Sequence, residues 1–308
     1  MTVNIHLVLP WLQGALRLPK TPKGPELDLS KFELTWSDEF EGDCLDREKW
    51  RLCQNHHPHW SLDLARTENS KLRIATKYAE QGMRLHIPKK YAEKVFSREM
   101  PEGYRAYPEE GYVHCPPGWY SLGLATDDSF RQKFGYFETR CKLPRGFGIW
   151  SAFWMHNEDV SNEDGSGRGG TEIDVFEAPY YRKRLPLFRN AITANLHYDG
   201  YGKAHRMKNI GKFRVEKPYD TFHTYGMEWN ENEYIFYIDG MEAGRSSFGG
   251  VCRNELFLML SVEKRTKGFD RWFWAGNINK NKRGEDMTDF VVDYVRAYQY
   301  KENRKKES

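Results

Sequence analysis

The segment Thr171-Glu172-Ile173-Asp174-Val175-Phe176-Glu177 sets three carboxylic acids among apolar residues. Acids that close cannot all ionise freely: like charges raise the pKa of one and leave another anionic. Such a divided pair suits glycoside hydrolysis. One carboxylate attacks the anomeric carbon, and one protonated acid gives its proton to the leaving oxygen. On a strand, alternation sends Glu172 and Asp174 to one face and Ile173 and Val175 to the other. Glu177 then has the wrong parity. A β-bulge around Val175–Phe176 returns it to the acid face, and bulges occur beside active sites. With that inserted residue, steps of roughly 3.3 Å put the two Glu Cα atoms about 13 Å apart. Side chains leaning together bring the carboxyls to about 5–6 Å, closer to a retaining than an inverting glycosidase. A solvated acidic strand face and a hard-cation site are the competing readings of the same residues.

These acids need a sheet to hold them. From Leu34 onward the pattern is mostly period two. Gly135 to Leu143 alternates, as do Ala191 to Tyr198, Glu233 to Asp239 and Asp289 to Tyr300. Asp239-Gly240 is a hairpin turn signal. Many alternating strands with turns between them predict an all-β, antiparallel sandwich or barrel. One stretch reads as helix: Tyr91, Ala92, Val95, Phe96 and Met100 share a face between Pro88 and Pro101. It lies in a long insertion, about 86–118. Residues 156–170 form a polar, glycine-rich loop. Residues 1–32, broken by Pro10, Pro19, Pro22 and Pro25, read as an irregular tail docking on the fold. Residues 33–300 then form a single domain, and 301–308 a disordered charged end.

Composition narrows the class. A net charge of +3 over 308 residues creates no field that calls for nucleic acid or an anionic membrane. No apolar run approaches the roughly 20 residues of a membrane span. Aromatic residues at 15% are too many for a disordered chain and leave material for a sugar-stacking surface. Five cysteines, an odd count, leave at least one thiol unpaired, and reduced thiols in a cytosol are the simpler reading. The apolar patch near the N-terminus lacks a basic flank and a small-residue cleavage site. A cytoplasmic location is therefore expected, or a secreted one if a leader has been trimmed.

A series of segments running from about residue 34 to 300 resembles glycoside hydrolase family 16, the laminarinase, lichenase and agarase superfamily. It begins with Trp36-Ser37-Asp38-Glu39-Phe40-Glu41-Gly42, Leu45-Asp46 and Trp50. Phe134-Gly135-Tyr136-Phe137-Glu138-Thr139-Arg140, Leu143-Pro144 and Gly148-Ile149-Trp150-Ser151-Ala152-Phe153-Trp154-Met155 follow. After the acid motif come Leu196-His197-Tyr198, Phe222-His223-Thr224-Tyr225-Gly226-Met227-Glu228-Trp229, Tyr237-Ile238-Asp239-Gly240 and Val292-Asp293-Tyr294-Val295-Arg296-Ala297-Tyr298. The order and spacing of the series make it specific.

The resemblance implies a β-jelly-roll sandwich with a concave cleft for a polysaccharide. It implies Glu172 as nucleophile, Glu177 as general acid/base and Asp174 as the assisting acid. The extra residue in the motif resembles the bulged branch, which includes endo-β-1,3-glucanases, agarases, porphyranases and carrageenases. By position, Trp150 and Trp154 would line the cleft. His197 and Asn195, in one polar row with Thr193, would reach the acids or the sugar; Trp119 and Trp60 could extend the cleft. The family also implies a structural calcium held by Asp293 with backbone carbonyls near Glu39 and Gly42, and no cofactor for catalysis.

The expected function is an endo-acting retaining β-glycanase, acting as a monomer on β-1,3- or mixed β-1,3/1,4-glucan. An endo-β-galactan hydrolase of agar-like or host glycans stays open, as do a transglycosylase and a non-catalytic glucan-binding protein. Three further signals are weaker. Cys53, His56, His57 and His59 match no closed zinc site. The glycines of 165–170 lack the ending of a phosphate-binding loop. Arg182-Lys183-Arg184 could meet an anionic sugar but reads more simply as a solvated loop.

Overall fold

The computed structural model describes residues 18–53, 61–87, 89–180, 188, 190–265, 277–281 and 287–304. Two antiparallel sheets dominate it. One, the acid sheet, runs in the order Arg206–Arg214, Ala191–Tyr198, Glu172–Pro179, Ile149–His156, Phe257–Lys264, Leu122–Ala125 and Arg51–Leu52. The opposite sheet runs Met241–Ser246, Tyr234–Ile238, His223–Trp229, Gly135–Lys142, Phe290–Tyr300, Leu72–Ile74 and Ala65–Thr67. Phe32–Asp38 also pairs with Phe290–Tyr300. The expected sandwich is therefore present.

Alternation decides what lies between the sheets. Phe153, Met155, Ile173, Phe176, Leu196, Leu258, Leu260 and Val262 point inward from the acid sheet and are wholly buried. Phe137, Tyr225, Met227 and Val292 meet them from the opposite sheet. Phe176 and Tyr225 touch across the gap with ring centroids 4.4 Å apart. Burying each such side chain contributes about 1.5–3 kcal/mol. The other face of the acid strands is thereby left for polar work. The Asp239-Gly240 turn forms as expected, with φ of 50° and 76°, the left-handed pair that a tight hairpin needs.

The insertion starts earlier than the pattern suggests, because Lys77–Ala79 pairs with Gly118–Tyr120. Beyond that ribbon, Met83–His86, Tyr112–Cys115 and Arg105–Tyr107 make a separate three-stranded sheet. The helix spans Lys89–Phe96 and stops four residues short of Met100. Of the tail expected over 1–32, residues 1–17 lie outside the described residues, and the remainder makes contacts along the sandwich edge. The Lys20 amide donates to the Lys212 carbonyl, and the Leu27 amide to Gly240. One edge strand of each sheet thereby gains a partner for some of its open pairing groups.

Residues 301–304 depart from the expected frayed end and form one helical turn. It continues directly from the long strand Phe290–Tyr300, and Lys301 Nζ donates to the Ser30 carbonyl. All five cysteines are free thiols, and only Cys44 is exposed. No helix among the described residues is long and apolar enough to cross a membrane.

Candidate active site

The three motif acids meet on the outer face of the acid sheet. Against Ile149–His156, Phe153 pairs with Phe176, while the next residue, Trp154, pairs with Asp174. Val175 is therefore the inserted residue. The register to Ala191–Tyr198 shifts at the same place, with Asp174 opposite Asn195 and Glu177 opposite Thr193. The bulge turns Glu177 to the same side as Glu172 and Asp174, as parity predicts. All three line one pocket of about 150 Å³, with Ala152, Trp154, Tyr201 and Glu263.

Each acid is held by a neighbour. Asn195 Nδ2 donates to Glu177 Oε2 at 2.7 Å. Asn195 is itself held by Asn209, whose Nδ2 donates to its Oδ1 at 2.8 Å. His197 Nε2 lies 3.1 Å from Asp174 Oδ2, and its Nδ1 lies 2.9 Å from His205 Nε2. The two imidazoles stack nearly parallel. The Tyr201 hydroxyl donates to Glu172 Oε2.

Electrostatics follow from burial that His197 only partly offsets. Burial, then the charge of Asp174, pushes the Glu172 carboxyl up to about 8, against the pull of His197 and the Tyr201 hydrogen bond. Burial also raises Asp174, although Asn195 hydrogen-bonds it. Glu177 is driven well above the ordinary range, by burial first and then by Asp174 and Glu263. The cluster therefore holds protons at neutral pH that exposed carboxyls would have lost, and its members titrate together. That supplies the proton a general acid must donate.

The other sequence expectations divide. Trp154 lines the pocket, with its indole N–H donating to Ser261 Oγ at 3.1 Å. Trp150 shares the outer face by alternation, and the Arg265 guanidinium sits 5.5 Å from its ring. Trp119 is not among the residues that line this pocket. It lies in the ribbon Gly118–Tyr120, buried in the apolar core and edge-on to Tyr78 at 5.6 Å; a large indole gains more there than in water. Trp60, His56, His57, His59 and Arg182-Lys183-Arg184 lie outside the described residues.

Sequence reasoning missed two pocket residues. Glu263 is brought in by register, opposite Trp150 on Phe257–Lys264. Leu258, Leu260 and Val262 alternate on its strand, and an acid of the opposite parity, beside Ser261, was the available signal. Tyr201 arrives on the Asp199–His205 hairpin, which no local pattern singles out.

Neither metal reading fits the side chains. Glu172, Asp174 and His197 offer ligand atoms within 4.8 Å of one another, but both His197 nitrogens are already engaged. For the family's calcium, Asp293 is occupied. Arg140 binds its Oδ2, and Lys71 Nζ lies 3.2 Å from its Oδ1. The Gly42 carbonyl accepts from Thr67 Oγ1 at 2.9 Å, and Glu39 binds Arg296 through both oxygens. Two cations on one carboxylate leave little attraction for a third.

The chain is thus a two-sheet antiparallel sandwich with three acids on the outer face of one sheet. The profile of glycosyl hydrolases family 16 matches residues 54–247, and the chain belongs to that family. It is 26% identical to glucan endo-1,3-beta-glucosidase A1 of Niallia circulans over 90% of this chain, which spans only 39% of that protein. It is 26% identical to a beta-glucanase of Rhodothermus marinus over 88% of this chain and 86% of that one. The structure of SCLam, a non-specific endo-beta-1,3(4)-glucanase, superposes with a TM-score of 0.61 over 93% of this chain and 98% of that one, at 20% identity.

Proposed function

We propose that this chain is an endo-acting retaining β-glycanase that hydrolyses internal bonds of β-1,3- or mixed β-1,3/1,4-glucan. The observation that carries the proposal is the bulge at Val175, which turns Glu172, Asp174 and Glu177 into one pocket. The names of the two glucan-active relatives support the sugar. In the first step a Glu172 oxygen attacks C1 of the sugar while the C1–O glycosidic bond breaks. The Glu177 proton passes to the departing oxygen. In the second step the Glu177 carboxylate takes a proton from water, whose oxygen attacks C1 and releases Glu172. Two inversions give net retention. Asp174, between the two and tied to His197, raises the acid by its charge. Asn195 orients Glu177.

Among the described residues the pocket lining carries four acidic or phenolic groups besides Asp174 and no Lys or Arg. A sulfated sugar at the point of cleavage would meet no cation among these described residues, which sets porphyran-type galactans behind glucans. The test is a panel of laminarin, barley glucan, agarose, porphyran and mucin glycans, with product chromatography and NMR of the first-formed anomer. Glucan fragments of several lengths with a retained β-anomer are expected. Glu172→Gln should abolish them. Activity of that variant near wild type would sink the mechanism, and cleavage of agarose alone would sink the choice of sugar.

A further inference from the structure

The hairpin Asp199–His205 joins two strands of the acid sheet and reaches back over the acids. Its root is rigidly set. Asp199 and Gly200 take left-handed φ of 61° and 66°. Asp199 is buried and accepts from the Gly165 amide at 3.0 Å, while the Gly200 amide donates to Val160 at 2.7 Å. The polar, glycine-rich loop of 156–170 thus clamps the hairpin. From that root the hairpin sends two side chains to two different acids. Tyr201 reaches Glu172 Oε2. His205 meets His197, which holds Asp174. The Tyr201 and His205 rings lie 6.2 Å apart, so the two arms adjoin.

Tyr201 is 51% exposed, yet its hydroxyl ends on a buried carboxylate. Tyr201 belongs to neither core cluster, so its packing is not what the core needs it for. We infer that Tyr201 is a positioning residue for Glu172, its hydroxyl fixing Oε2 so that Oε1 is the oxygen presented to the anomeric carbon. The inference rests on the reading of Glu172 as the nucleophile. The groups facing Glu172 are Asp174, Glu177, Glu263, His197 and Tyr201; of these only Tyr201 donates to it by a hydrogen bond among the described contacts. A hydrogen bond to the charged form also favours ionisation, so the hydroxyl opposes the burial and like charge that protonate the nucleophile.

The test compares Tyr201→Phe with wild type in two measurements. On whichever polysaccharide the wild type cleaves, kcat should fall about tenfold to a hundredfold, the worth of one hydrogen bond to a charged group, with KM within about twofold. Without substrate, the Glu172 carboxyl, assigned in 13C-glutamate-labelled protein by its loss in Glu172→Gln, should titrate at higher pH in the variant. Tyr201→Ala should reproduce both changes. A raised KM with unchanged kcat would make Tyr201 a sugar contact and overturn the inference, as would an unmoved titration. The titration needs no substrate. A wild type inactive on every polysaccharide would therefore count against the proposed activity while this measurement still decides the role of Tyr201.

Discussion

Acids on the two sheets answer to opposite physics. On the opposite sheet, Asp293 is bound by Arg140 and Lys71. Burial pulls its carboxyl up, and those cations outweigh it and hold it below the ordinary value. Glu39 takes both nitrogens of an Arg296 fork at 2.9 Å. On the acid sheet, Glu172, Asp174 and Glu177 are buried with amides, a phenol and an imidazole for company, and all three rise. Glu138 stands between the cases. Buried on the opposite sheet, it accepts from the Tyr136 and Tyr298 hydroxyls, and burial still lifts it. Two phenol hydrogen bonds and the charge of Arg296 do not offset the desolvation of Glu138; at Asp293 two cations bound directly to the carboxylate do. The counter-charge, rather than the acid, separates an anchor from a reactive group.

The sharpest way to break this contrast is to remove a proton the acid sheet is proposed to hold. Glu177→Gln keeps the shape and the Asn195 neighbour and loses the transferable proton. Its kcat on glucan should drop by about 10²- to 10⁴-fold, the usual worth of general acid–base catalysis. Aryl glycosides with good leaving groups, which need no proton, should retain a far larger share of the first step. An equal loss on both substrates would refute the role.

Stability should move the opposite way. A carboxyl whose folded pKa is about 8 against an ordinary 4.5 keeps its proton in the native state after the unfolded chain has lost it. Between those two values the unfolded state binds fewer protons, so stability falls as pH rises. Glu172→Gln removes that cost. At pH 8 it should raise stability on the order of 2 kcal/mol, about 3 °C in Tm, with the gain vanishing below about pH 4.5. A Tm difference independent of pH would contradict the assignment of burial as the cause.

The cation-bound side should respond more weakly and in the reverse sense. Asp293→Asn breaks two ion pairs that are each partly open to water, and should cost about 1 kcal/mol with kcat unchanged. The Asp293 contribution is present above its ordinary pKa and lost as pH falls below that value, since its folded pKa is the lower one. Because Arg140 and Lys71 occupy the carboxylate, added calcium or a chelator should leave Tm where it is. A calcium-dependent rise in Tm would show that the cations yield their place.

How much of this could be read beforehand follows from the range of each signal. The acid strand and its bulge were legible because parity is local: Glu177 five positions from Glu172 must be out of step unless one residue is inserted. The Asp239-Gly240 turn was legible for the same reason. Asp293 was not, because its two cations, Arg140 and Lys71, come from other strands. The packing of Trp119 on Tyr78 was not, because the pairing of Lys77–Ala79 with Gly118–Tyr120 joins segments far apart in sequence. Tyr201 depends on how a hairpin folds back, and Glu263 on the register between two strands far apart in sequence.

Glu263 gives the finest test of the contrast, since it adds charge without being assigned a chemical step. Its carboxylate ranks behind burial and Asp174 in lifting Glu177, and comes last among the influences on Glu172. Glu263→Gln removes one like charge and keeps the volume. The alkaline limb of the kcat/KM profile, set by the acid Glu177, should move down by about half a unit to one unit. The acidic limb, set by Glu172, should move less, so the bell narrows from its alkaline side. Adding salt should not mimic the change, because charges inside a buried pocket are screened far less than surface ones. Limbs that stay in place would mean that Glu263 is neutralised by a neighbour, and the acid sheet would then hold one anchored acid beside three reactive ones.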